Sequence, residues 1–174
     1  MFNFSDKLQN QELVLYNKIL SLSRNKLFYT NFKLADSFQI RINLIFIHSS
    51  FLFNKIKTSK NNKVYKIFYQ KMFDLIFDKI EINMREIGYG DTTVNKNMKI
   101  LIKSFYNILL ECETYDNKNT LQKNSFFQKY LNLDDEKKYA KNDDLVKYFD
   151  QYQSFCIDLD INSVIKGGLN FTYK

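Results

Sequence analysis

The chain has 174 residues, 45% of them hydrophobic, with no proline and four glycines. One real core is within reach, and the missing turn-formers exclude sandwiches, barrels and βαβ units in favour of helices joined by polar loops. A formal net charge of +7 points toward anionic partners such as RNA, acidic proteins or lipid headgroups.

In chain order, a first helix is expected from an N-cap at Ser5 or Asp6 to about Ser23, because Leu8, Leu15, Ile19 and Leu22 share one face. Arg24 to Tyr29 breaks that period and reads as a loop or a single helical turn. Asp36-Ser37 is the next start signal. Phe38, Ile42, Ile45, Ser49, Leu52 and Ile56, spaced by three or four, carry a helix to about Lys57. Leu44, Phe46, Ile47 and Phe51 fill its flanks, so it should be the most buried helix. Its apolar run, Leu44 to Phe53, is about half the ~20 residues that a membrane span needs. Thr58 to Asn62 reads as a loop.

Lys63 to Ile87 reads as one long helix with a stripe of Tyr69, Phe73, Ile76, Phe77, Ile80, Met84 and Ile87. A left-handed glycine, Gly88 or Gly90, ends it. Asp91 then reads as the N-cap of the following helix. That helix has Met98, Leu101, Ile102, Phe105, Leu109 and Cys112 inside and Lys96, Lys99 and Lys103 on its outer face. Helices from about Thr120 to Leu131 and from about Asp135 to Phe155 follow. After Asp160 the pattern weakens to a short helix and an extended end packed on the body. There is no internal repeat. The sum is an all-α bundle of about six helices, one domain over residues 1–174.

Little catalytic chemistry assembles. Cys112 and Cys156 stand far apart with no second pair, which argues for buried reduced thiols. The single histidine, His48, lies mid-helix in the apolar run and reads as a core residue bonded to a carbonyl; no partners at metal or triad spacing accompany it. Asp74, Asp78 and Glu81 share a helix, but without a Glu-x-x-His partner the ligand count excludes a di-iron bundle. Gly88-Tyr89-Gly90 lacks the strand, third glycine and Lys-Ser/Thr of a phosphate loop. Neighbours on a helix diverge, so Arg85 and Glu86 are each expected to reach elsewhere. With only three arginines against 23 lysines, Arg24, Arg41 and Arg85 read first as staples between helices, using a fork that lysine cannot copy. The lysine excess, with abundant Asn, Ile, Phe and Tyr and no Trp, matches an A/T-rich coding bias. Most of the positive charge therefore reads as generic solubility. No catalytic residue, metal or cofactor is expected.

Four blocks carry a family resemblance. They are Arg24…Phe28-Tyr29 with Leu34-Ala35-Asp36-Ser37…Arg41; Ile47-His48-Ser49-Ser50-Phe51-Leu52; Met72-Phe73-Asp74…Phe77 leading into Met84-Arg85-Glu86-Ile87-Gly88-Tyr89-Gly90-Asp91; and Val94-Asn95-Lys96…Met98-Lys99…Phe105-Tyr106. In this order the chain resembles the ubiquinol–cytochrome c chaperone family, assembly factors for respiratory complex III in mitochondria and alphaproteobacteria. It is similar to the alphaproteobacterial type. The resemblance runs over about residues 15–171 and is most specific from 72 to 106. Two positions depart from the family: Asn107-Ile108 stands where Gly-Arg is usual, and Lys79 stands at an acidic position.

The resemblance implies a non-enzymatic chaperone that binds nascent cytochrome b. The ribosome, an anionic membrane surface and a small partner subunit are further partners, and there is no small-molecule substrate. Client or partner contacts are expected at Arg41, Arg85, Glu86, Tyr89, Asp91, Lys96 and Lys99, around a structural corner of Gly88, Gly90 and Asp91. The N-terminus has neither a signal-peptide nor a transit-peptide pattern, so the chain reads as cytoplasmic. The resemblance places it peripherally at the inner membrane, or on the matrix side in a eukaryote. The interleaved lysines and aromatics also suit a different role, a basic helical RNA-binding or ribosome-associated regulator without a cytochrome client.

Overall fold

The computed structural model describes residues 4–58, 62–131 and 142–174. Every regular element among them is helical: α1 (Phe4–Ser23), α2 (Leu27–Thr30), α3 (Phe38–Lys57), α4 (Asn62–Glu86), α5 (Asp91–Glu113), a 3-10 turn (Tyr115–Asn117), α6 (Thr120–Leu131), α7 (Asn142–Asp158) and α8 (Ile161–Ile165). Six of these, 12 to 25 residues long, make the body, as the hydrophobic periodicity predicts. The expected caps at Ser5 or Asp6, most of the Thr58–Asn62 loop and the expected helix start at Asp135 lie outside the described residues and side chains.

The hub is α3, which packs against α1, α4, α5, α6 and α7. Fourteen of its 20 residues are buried, twelve of them in an unbroken run from Ile42 to Phe53. A helix apolar on all sides must be surrounded on all sides. Ser37 starts it as expected: its Oγ accepts from the Ile40 N–H at 3.3 Å, satisfying one of the free donors of the first turn. Next to it, Arg41 donates Nε and Nη2 to the two Asp36 oxygens at 2.6 and 2.8 Å, so this arginine braces the entry to α3.

The α4–α5 corner differs from the sequence expectation in two respects. Gly88, at φ +99°, is the left-handed residue. The Tyr89 N–H returns to the Met84 carbonyl at 3.1 Å, the six-to-one bond of a Schellman ending. Asp91 is not the N-cap. Gly90 occupies that position, with extended φ −72° and ψ 160° and no side-chain cap, and Asp91 sits in the first turn, where its carboxylate turns back to Arg85. Ile87 also falls outside α4 and is exposed rather than part of the buried stripe. At the other terminus, α8 closes on Gly167 at φ +80°, where a Cβ would come within 2.7 Å of Val14 Cγ1. From there the chain runs extended across α7. Phe171 packs on Tyr148, Tyr152 and Phe155, and Gln151 brackets the Lys174 backbone with bonds of 3.2 and 3.3 Å.

Candidate functional site

Two seams meet along α3. On the α4–α5 side the rings of Phe46, Phe53, Phe73, Phe77 and Phe105 pack with centroids 4.6 to 5.9 Å apart, with no polar group among them. On the α6–α7 side the packing is equally aromatic but threaded with hydrogen bonds. His48 Nδ1–H donates to the Leu44 carbonyl at 2.7 Å and Nε2 accepts from the Tyr148 hydroxyl at 2.9 Å. Tyr152 donates to the His48 carbonyl at 3.1 Å, and Asn43 to the Tyr130 carbonyl at 2.7 Å. Burial lowers the His48 pKa to about 4 against the opposing pull of the Leu44 carbonyl, so the ring is neutral and both nitrogens are satisfied. Cys112 and Cys156 are buried free thiols, pushed above their ordinary pKa by that burial. These groups are core, as the isolated histidine and cysteines predict.

The dry seam does not close along its whole length. Phe73 of α4 meets Tyr106 of α5 at 5.8 Å. Beyond that pair, between the first half of α4 and the second half of α5, lies a groove of about 580 Å³ floored by Phe53 and Ile56 of α3. Its walls are Tyr65, Tyr69, Tyr106, Leu109 and Leu110, and its surface is mostly carbon. Asn54 ties the floor to α5 through the Leu109 carbonyl at 3.4 Å, and Lys57 reaches Glu113 at 2.5 Å across one end. Burial raises the Tyr69 pKa to about 12, helped by Tyr106 and Glu113, so its hydroxyl stays a donor at neutral pH. The volume and apolar lining are those of a binding cleft, and they fit an apolar guest.

The residues picked from sequence gather at the other end of the same helix pair. Arg85 donates Nε and Nη2 to Glu81 at 3.1 and 2.9 Å and Nη1 to Asp91; it does not pair with Glu86. It thus staples the end of α4 to the start of α5, the structural role expected of a scarce arginine. Those hydrogen bonds raise its pKa, and Arg41 does the converse to Asp36, holding that carboxyl below its usual range. Glu86 lies with Arg24 and Arg41 beside a groove of about 270 Å³. Tyr89 stands edge-on to Phe38 at 6.4 Å, in a neighbouring groove of about 290 Å³ shared with Ile100. Lys96 and Lys99 are exposed farther along α5. Both arginine forks at this end are therefore already engaged. The large apolar groove was not visible in the sequence, where Tyr69 reads as a stripe residue. The one local trace is Tyr106 and Leu110, two large apolar residues a turn apart that stay exposed outside the α5 stripe.

Among the described residues no group of three or more His, Cys, Asp or Glu could hold a metal ion, and no helix is long and apolar enough to cross a membrane.

A family model described as ubiquinol-cytochrome C chaperone matches residues 30–171. No curated protein matches the chain. Among solved structures, the crystal structure of the Cbp3 homolog from Brucella abortus superposes with a TM-score of 0.80 at 20% identity, covering 97% of this chain and 92% of that one. At that identity the likeness speaks for the shared helical fold.

Proposed function

The chain belongs to the ubiquinol–cytochrome c chaperone family, and from that premise we propose that it is a non-enzymatic assembly chaperone for respiratory complex III that receives newly made cytochrome b in the groove between α3, α4 and α5. The groove carries this reading. It keeps Phe53, Ile56, Leu109 and three tyrosines at a water-accessible cleft, where an apolar helix removes carbon surface from water on both partners. The tyrosines suit a membrane-protein client because each offers a ring to apolar side chains and a hydroxyl to backbone carbonyls. The junction end, with Arg41, Arg85, Glu86, Tyr89, Asp91, Lys96 and Lys99, is a second contact region, for the ribosome, a small partner subunit or the anionic membrane surface. The protein works peripherally at the membrane where the client is made.

The test is a photoreactive side chain placed at Tyr106, and separately at Glu86, during translation of cytochrome b. The groove position is expected to crosslink to the nascent client. Crosslinks from Glu86 alone would move the client to the junction. Normal assembled complex III in a strain lacking the gene would sink the chaperone role altogether.

A further inference from the structure

The solvent face of α5 carries a row of lysines that the groove does not use. From Thr92 to Leu110 the helix contains Lys96, Lys99 and Lys103 and no carboxylate. At spacings of three and four these lysines share a face with Ile100, Tyr106 and Leu110, which are 56%, 45% and 59% exposed. Tyr89, itself 40% exposed, extends this surface at the turn, because it lines the same small groove as Ile100.

The charges around this face are arranged unevenly. The acids that bound it are each held by a cation from elsewhere: Asp91 by Arg85, Glu111 by Lys129 at 2.6 Å and Glu113 by Lys57 at 2.5 Å. Glu81 shares Arg85, and Asp36 is taken by Arg41. Glu86 lies by the other groove, with Arg24 and Arg41. Lys96, Lys99 and Lys103 have no ion-pair partner among the described residues. The carboxylates at the two ends of this face are paired internally and its lysines are left over.

We propose that the outer face of α5, with Tyr89 at its leading turn, docks the protein onto an anionic phospholipid surface. Unpaired lysines reach the headgroup phosphates with their stems along the boundary. Ile100 and Leu110 enter the acyl margin, and Tyr89 and Tyr106 sit at headgroup level, where amphipathic rings collect. RNA would use the lysines and could stack on the tyrosines, but it has no use for exposed aliphatic side chains between them. Leu110 and Tyr106 also form one lip of the groove, so docking on this face sets the groove mouth beside the bilayer. The inference deepens the peripheral placement proposed above and is independent of what the groove holds.

The test is cosedimentation of the full chain with vesicles of phosphatidylcholine, with and without phosphatidylglycerol. Binding is expected only to the anionic vesicles and should weaken with salt. Replacing Lys96, Lys99 and Lys103 with Gln is expected to cost on the order of 100-fold in partitioning. Ile100→Ser should cost about fivefold at unchanged helicity, and Lys166→Gln, at an exposed lysine just past α8, nothing. No preference for anionic vesicles, or full binding by the lysine variant, overturns the proposal. Tight binding of single-stranded RNA that is lost with the lysines, indifferent to Ile100→Ser and without vesicle binding, would reassign the face to RNA. A chain that crosslinks to cytochrome b yet ignores vesicles keeps the chaperone reading and loses this one; the reverse result does the opposite.

Discussion

The two seams of α3 are equally aromatic and solve different problems. The ring cluster of the α4–α5 seam is carbon against carbon, so ending it early strands no polar atom of its rings and leaves a cleft, bridged at its floor by Asn54. The α6–α7 seam is pinned by His48, Tyr148, Tyr152 and Asn43. Opening it anywhere would strand a buried polar group, which costs about 1–3 kcal/mol. A chaperone needs one surface that accepts a guest and another that holds its register, and here the presence or absence of polar atoms decides which is which.

The most damaging change should fall in the dry seam. Phe105 is fully buried among Phe46, Phe53, Phe73 and Phe77, so Phe105→Ala is expected to cost about 3–5 kcal/mol in a denaturant titration. A loss below about 1 kcal/mol, far under that range, would mean that the seam is looser than its ring contacts imply. The polar seam should respond to acid instead. Above pH 6.5 the folded and unfolded chains both carry a neutral His48. Between 6.5 and about 4 the unfolded chain takes up a proton that the folded one refuses, so stability falls as the pH falls. The loss amounts to about 3 kcal/mol once the pH is below both values. A His48→Gln variant, however much stability it loses, should show a correspondingly flatter melting profile over that window.

Tyr148→Phe removes the donor to His48 Nε2 while keeping the ring, and should cost about 1–3 kcal/mol. It should also raise the His48 pKa, measurable by NMR titration, because the tyrosine hydroxyl donates to the neutral ring and favours that form. The smallest effects belong to the turn that joins the dry seam's two helices. Gly88→Ala must hold an L-residue at φ +99° and should cost about 1 kcal/mol. Gly90→Ala, at φ −72° with nothing near its Cβ, should cost less than Gly88→Ala; the two melting temperatures side by side test which glycine makes the corner.

Much of this was legible in the sequence. The bounds of α3 and α6 follow from Ser37 and from unbroken periodicity, and the buried, satisfied His48 follows from its isolation in an apolar run. The misreading of Asp91 has a physical cause. Gly-Asp before a helix offers two N-caps, and the choice was made by Arg85, six residues back, whose guanidinium drew the carboxylate away. The groove left no local signal, because its walls come from helices about 40 residues apart and its emptiness is a property of how they pack. Lys96, Lys99 and Lys103 were visible, but only the folded chain shows that the neighbouring acids are already taken.

The position of α3 also constrains the order of events on the ribosome. His48 waits for a tyrosine 100 residues downstream, whereas the partners of Phe46 and Phe53 are complete once α5 has been made. During synthesis the first half of the chain can condense around the dry face of α3, with Phe28 already against His48, while the side that meets α6 and α7 remains uncovered. A nascent chain halted after α5 should therefore resist proteolysis within α4 and remain open to ligands of exposed apolar surface along α3. Protection of that second face should appear only when Tyr148 and Tyr152 emerge. A protein proposed to shelter a membrane subunit as it leaves the ribosome thus passes through the same exposed condition during its own synthesis.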